Sequence, residues 1–394
     1  MNKIGLLLLA ICLQFSCSNK EDEVLQPIDP FQHTKAAFGN NIQPDNLLNY
    51  ANQPIPAYVN QFNGQNNPIT NQGATLGRVL FYDKNLSSNN TISCASCHQQ
   101  LNAFSDQAIA SLGVNGTTAR HSMRLVNARF GNEIRFFWDE RAASLETQTT
   151  MPIRDHGEMG FSGTNGDQPF SALITKLSQI GYYKELFKLA FGTEEITETK
   201  MQLALAQFIR SIQSFDSKYD QGRNQAPNDG APFPNFTAQE NQGKNLFLAP
   251  PQFAPGGIRI GGGLGCAGCH APPTFDINPN SLSNGVSTSI LGGNDFSNTR
   301  SPSLRDLVKP NKSTNGPMMH DGSKATLAAA IAHYNNLTTA AMQNPNLDPR
   351  LKPGGVGQQL QLTPQEIQAV TAFLETLSGN FIYVDAKWSN PFLN

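Results

Sequence analysis

The chain is short of charge. Asp, Glu, Lys and Arg make up 15% of its 394 residues, against about 25% in an ordinary soluble domain. The net charge is −2, which leaves no electrostatic case for nucleic acid or an anionic membrane surface. Cysteine is scarce too. Of 6, four fall in two compact motifs and two, Cys12 and Cys17, in the first twenty residues, so none remains for a structural disulfide. Apolar runs long enough to cross a bilayer are missing, and so is any alternating strand pattern of useful length. What the chain has in plenty is Asn, Gln, Gly (33) and Pro (25), the composition of long, turn-rich loops between helices.

Residues 1–16 read as an export signal. Lys3 supplies the charge, Leu6 to Leu13 a short apolar stretch, and Ser16 the small residue before Cys17. Cys17 resembles the lipidated cysteine of bacterial lipoproteins, although Gln14 and Phe15 fit the usual box poorly. A simply cleaved, soluble export is the alternative. Either places the chain in the periplasm or cell envelope, with the membrane reached only through a lipid anchor at Cys17. Residues 17–60 then form a tether, acidic and flexible over 18–35, and an N-terminal arm.

The four remaining cysteines carry the chemistry. Cys94-Ala-Ser-Cys97-His98 recurs as Cys266-Ala-Gly-Cys269-His270. Each is the Cys-x-x-Cys-His pattern of c-type haem attachment: two thiols form thioethers to one haem edge, and the adjacent His meets the iron. Zinc is the competing reading, but it takes four ligands per site and each motif offers three. The chain is therefore expected to hold two covalent haems, with His98 and His270 as iron ligands.

The region before each motif repeats. Thr70, Gly77, Leu80 and Phe81 precede Cys94; Thr237, Gly243, Leu246 and Phe247 precede Cys266. Each Thr opens a short helix ending in Leu-Phe, which can lie against a haem edge. Thr237 with Glu240 makes a capping box, as does Thr363 with Glu366, where Pro364 takes the first helical position. Met201, Leu205, Phe208, Ile209, Ile212 and Phe215 follow helical spacing after a Thr197 cap. Ile367, Val370, Phe373, Leu374 and Leu377 do the same before Gly379, expected to stop that helix. Gln221–Phe236 reads as a Pro/Gly/Asn linker. Gly256–Gly265 has no phosphate-loop context and reads as a flexible approach to the second haem. The expected fold is mainly α, with two cytochrome-c-like domains, 61–225 and 226–394, each enclosing one covalently bound c-type haem.

Between the motifs, Phe136-Phe137-Trp138-Asp139-Glu140-Arg141-Ala142 leads into Leu145-Glu146-x-Gln148, then Pro152 and Glu158-Met159. With Ser93–His98, Arg120–Asn127 and Met319–Leu327, this resembles the bacterial di-haem cytochrome c peroxidase family, from roughly Gly73 to Leu377. The resemblance implies reduction of hydrogen peroxide at the His98 haem. Glu158 would be the acid–base carboxylate, Gln148 its partner and Trp138 the aromatic between the haems. A small electron-donor protein, such as a cytochrome c or a cupredoxin, would feed the second haem. It also leaves room for one Ca2+ between the haems, although His121 stands where an Asn ligand is expected and only a carbonyl near Pro302 remains. The oligomeric state stays open, a homodimer among the options.

Two departures matter. Many members close the peroxide haem at rest with a His in the loop after the first motif; Val114 stands there, so an open first haem needing no reductive activation is expected. His121 reads as structural packing and His156 as an exposed loop residue. Typical members also place a Met fourteen residues after the His of the HDG motif, as sixth ligand to the second haem. Fourteen residues after His320 comes Tyr334, ahead of Met318, Met319 and His333 as ligand candidates. A Tyr oxygen stabilises higher iron oxidation states and is similar to the di-haem oxidase that matures tryptophan tryptophylquinone. Peroxide-dependent oxidation of a protein or small organic substrate is thus the runner-up reading, and a non-catalytic electron carrier the third.

Overall fold

The computed structural model describes residues 29–393 apart from 133 and 301. The expected signal segment and Cys17 lie outside the described residues. The architecture is predominantly helical. Strands among the described residues occur only as three two-stranded antiparallel ribbons: Leu112–Gly113 with Gly116–Thr117 (β1, β2), Pro251–Phe253 with Arg259–Gly262 (β3, β4), and His270–Ala271 with Asp276–Ile277 (β5, β6).

The internal repeat is built as two helix crossings. In the first, α2 (Asn71–Tyr82) packs on α7 (Glu198–Ser211); in the second, α9 (Ala238–Leu248) packs on α12 (Pro364–Glu375). Each crossing passes over a glycine. A methyl group at Gly77 would run into the Ala204 carbonyl, and one at Gly243 into the Ala369 carbonyl. The repeated Gly is thus a requirement of close backbone approach. The Thr70, Thr197, Thr237 and Thr363 hydroxyls cap these four helices as the spacing predicts, each accepting from the amide three residues on.

Two hydrophobic cores result. One holds Phe81, Leu205, Phe208 and Ile209 with their neighbours; the other holds Phe247, Val370, Phe373 and Leu374. Their sequence limits interlock. Tyr219 already belongs to the second core, whereas Ile382 and Trp388 return to the first.

Four local expectations are corrected. Residues 32–35 are not tether: α1 (Gln32–Phe38) packs on α6 (Gly181–Phe191), where Glu185 accepts from the Thr34 amide at 2.8 Å and hydroxyl at 2.7 Å. The Pro/Gly/Asn linker is not loose, because Phe233 and Phe236 are buried in the second core. The glycine-rich stretch 256–265 is ordered by strand β4, which pairs with β3 and is pinned by Arg259 to Glu366 at 2.7 Å. Gly379 does not stop the last helix. Thr376 closes the turn three residues earlier by donating to the Phe373 carbonyl at 2.6 Å, and the Gly379 amide donates instead to Asp306 at 2.8 Å.

Candidate active site

The first haem motif is one helical turn, α3 (Cys94–Cys97), opened by a Ser93–Ser96 capping box. Thiols at i and i+3 share a face of that turn. His98 follows as its C-cap, and the ring Nδ1 lies 3.2 Å from the Phe104 carbonyl. A carbonyl can only accept, so this contact suits the tautomer protonated at Nδ1, which would present the Nε2 lone pair to a metal. Burial lowers the pKa of this imidazole. The second motif solves the same problem. His270 is hydrogen-bonded to the Phe275 backbone, and burial pushes its pKa down to about 4. Phe104 and Phe275 both adopt left-handed backbone, φ 58° and 55°, which turns their carbonyls towards the two rings. Non-glycine residues seldom adopt this conformation, so sequence gave no warning of it.

Cys94, Cys97 and His98 open onto a cavity bounded by Phe81, Leu205 and Ile209. Glu158 and Gln148, on α4 (Leu145–Thr150), stand on its wall. Glu158 is placed by a turn in which Asp155 Oδ1 accepts from the amides of Gly157 (2.8 Å) and Glu158 (3.0 Å). The Val114 amide donates to the Glu158 carbonyl at 2.9 Å, and a methyl at Gly113 would strike the Gly157 carbonyl. The Val114 loop therefore buttresses the Glu158 backbone. Burial, and next the Asp155 charge, push the Glu158 carboxyl up to about 7 against the opposing pull of Arg141.

Cys266, Cys269 and His270 open onto a second cavity of about 190 Å³, bounded by Phe247, Leu374 and Tyr334. Tyr334 ends α10 (Leu327–His333), and its carbonyl accepts from Gln358 at 2.7 Å. Trp138 borders both cavities. Its indole N–H donates to the His121 carbonyl at 2.8 Å, and its own carbonyl accepts from the Thr299 and Arg300 amides at 2.9 and 3.0 Å. Both halves of the chain thus hold this residue, the first through its ring and the second through its backbone.

Residues 71–227 match the di-haem cytochrome c peroxidase family. The methylamine utilization protein MauG of Methylorubrum extorquens is 30% identical, over 79% of this chain and 80% of its own length. The chain belongs to the di-haem cytochrome c peroxidase family. The cytochrome c551 peroxidase of Pseudomonas aeruginosa is 26% identical over 83% of this chain and 84% of its own. Among solved structures, a MauG-like protein associated with microbial copper homeostasis superposes with a TM-score of 0.63, at 27% identity, covering 86% of this chain and 99% of that one.

Membership of a di-haem family implies two c-type haems, and the two cavities fit them: each pairs two thiols with a buried imidazole. The remaining family-related residues divide clearly. His121 is buried, with its Nδ1 3.0 Å from the Ala108 carbonyl. His156 borders neither cavity; it pairs with Asp167 at 3.0 Å on an exposed loop. Met318 and Met319 share the second cavity with Tyr334, whereas His333 turns its Nε2 to the Asn284 carbonyl at 2.9 Å.

Proposed function

We propose that this protein reduces hydrogen peroxide to water at the His98 haem, drawing electrons from a small redox protein such as a cytochrome c or cupredoxin through the second haem. One observation carries the reading: a carboxyl poised near neutrality, Glu158, stands on the wall of the cavity that Cys94, Cys97 and His98 open onto. The reaction consumes one peroxide, two electrons and two protons and yields two waters. Bound haem supplies an iron that can take an oxygen ligand and exchange electrons. Glu158 takes the proton from one peroxide oxygen and delivers it to the other. Gln148, uncharged, positions peroxide by hydrogen bonding without competing for that proton. Trp138, held by both halves, is the aromatic path between the cavities. Cys94 and Cys97 hold one haem covalently in the 61–225 unit, and Cys266 and Cys269 the other in the 226–394 unit.

A Ca2+ between the haems finds partial support. Asn298 borders the second cavity, and its buried Oδ1 has no hydrogen-bond partner among the described residues; Pro302 borders it as well. His121 brings no side-chain oxygen. The Cys-x-x-Cys-His motifs and the signal-like N-terminal segment support a location in the periplasm or cell envelope, with Cys17 as lipid anchor. No helix among the described residues is long and apolar enough to cross a membrane.

Tyr334 favours a second reading, peroxide-dependent oxidation of a protein or organic substrate. It occupies the second cavity beside Cys266, Cys269 and His270, and burial raises its phenol pKa well above the ordinary value, so only a strong Lewis acid would draw off the proton. Turnover of the holoprotein with peroxide and reduced cytochrome c should consume both if the first reading holds. A haem spectrum perturbed by peroxide without such turnover favours the second, and no perturbation at all a mere carrier. Tyr334→Phe should visibly alter the second haem's optical spectrum; an unchanged spectrum rules out Tyr334 as ligand.

A further inference from the structure

At the end of α2, whose Phe81 lines the first cavity, lies a cluster that the peroxidase reading does not use. Asp83 follows α2 directly and is buried. Its Oδ1 accepts from the Asn85 amide at 2.8 Å and side chain at 2.9 Å; its Oδ2 accepts from the hydroxyls of Tyr182 at 2.8 Å and Tyr183 at 2.7 Å. All four partners donate, so both Asp83 oxygens act as acceptors, with both phenols on one of them. Tyr183 is fully buried in the first core, against which Cys94, the expected haem anchor, also packs. The Tyr182 ring is centred 4.8 Å from that of Tyr183 and is half-buried, against Phe38 at 5.2 Å and Phe392 at 6.1 Å. The second unit has no carboxylate at the equivalent position, and its buried Tyr219 donates instead to Asp229. In the repeat, Phe81 aligns with Phe247, which sets Ala249 in the place of Asp83.

We propose that Tyr183, Asp83 and Tyr182 form a relay that carries oxidising equivalents from the first haem towards the protein surface. The proposal rests on the peroxidase reading, which supplies hydrogen peroxide as the oxidant. A tyrosine gives up an electron readily only when its proton leaves with it. Tyr183 is buried and its hydroxyl donates to Asp83 Oδ2 at 2.7 Å, so the proton has one acceptor at hand. Tyr183 gives one electron to the peroxide-oxidised haem, while its O–H bond breaks and the proton binds Asp83 Oδ2. Tyr182 then gives one electron to the Tyr183 radical. Tyr183 recovers the proton from Asp83, and the Tyr182 proton takes its place on Oδ2. The net result is one electron delivered to the haem, Tyr182 oxidised by one electron, and one proton held on Asp83. A one-electron donor arriving at Tyr182 would restore the resting state.

The test is rapid-freeze electron paramagnetic resonance on the holoprotein after mixing with hydrogen peroxide in the absence of donor, with optical spectra of the same mixture. A tyrosyl radical is expected, with hyperfine structure that narrows in protein grown on deuterated tyrosine. Tyr183→Phe keeps the ring and the packing and should abolish the signal. Asp83→Asn keeps the shape but cannot take the proton, and should slow radical formation by about a hundredfold. Tyr219→Phe, in the second core, should leave the signal intact. A haem oxidised by peroxide with no tyrosyl signal overturns the relay, as does an undiminished signal in Tyr183→Phe. A haem that peroxide leaves spectrally unchanged overturns the peroxidase reading, and the relay falls with it for want of its oxidant.

Discussion

Glu158→Gln should slow peroxide cleavage by about a hundredfold or more, measured as the rate of the haem spectral change on rapid mixing with hydrogen peroxide. Glutamine fills the same space on the cavity wall but cannot take up a proton. The pH profile of the native protein gives the same group a second signature. The carboxyl sits at about 7, raised first by burial and then by Asp155. It must be ionised to accept the peroxide proton. The rate should therefore be flat above neutrality and fall as pH drops through 7, by about tenfold per unit once the carboxyl is mostly protonated. Glu158→Gln should lose this limb along with the rate. An unchanged rate in the variant would remove Glu158 from the mechanism.

Arg305→Met should destabilise the protein by about 3–5 kcal/mol, read as a lower urea midpoint of the holoprotein. Arg305 is 0% exposed. Its Nη1 donates to both oxygens of Asp220 at 2.9 and 2.8 Å, and its Nη2 to the Pro273 carbonyl at 2.7 Å. Its guanidinium also stacks over Tyr219 at 4.7 Å. Asp220 in turn accepts from Tyr58 at 2.6 Å. One buried charge pair thus joins the N-terminal arm, the inter-unit segment and the loop just after the second haem motif. Methionine replaces most of the apolar stem but strands the Asp220 carboxylate in the core. Arg305→Met combined with Asp220→Leu should recover much of the loss, because a buried pair removed whole costs less than one removed by half. A single variant as stable as the native protein would contradict this account of the junction.

Much of the site can be read from sequence because its signals are local. The two Cys-x-x-Cys-His motifs, the Thr caps and the repeated Gly77 and Gly243 lie within a few residues of the structure they specify. Glu158, Gln148 and Trp138 were reached through family resemblance rather than spacing, and the fold brings all three to cavity walls. What sequence did not disclose depends on distant partners. Asp83 meets Tyr182 and Tyr183 about a hundred residues away in the chain, and Arg305 meets Asp220 across 85. The left-handed Phe104 and Phe275 are local, but tertiary packing overrides an intrinsic preference that disfavours them. Gly379 misled for the opposite reason: a good stop residue stood nearby, while the hydroxyl of Thr376 had already closed the last turn.

The coordination of the two irons in the oxidised holoprotein tests the central claim most directly. Electron paramagnetic resonance and resonance Raman spectra should show a high-spin component from the His98 haem, as Val114 offers no ligand to close its second face. Spectra containing only six-coordinate, low-spin iron at both centres would contradict the account, because peroxide would then have nowhere to bind beside Glu158.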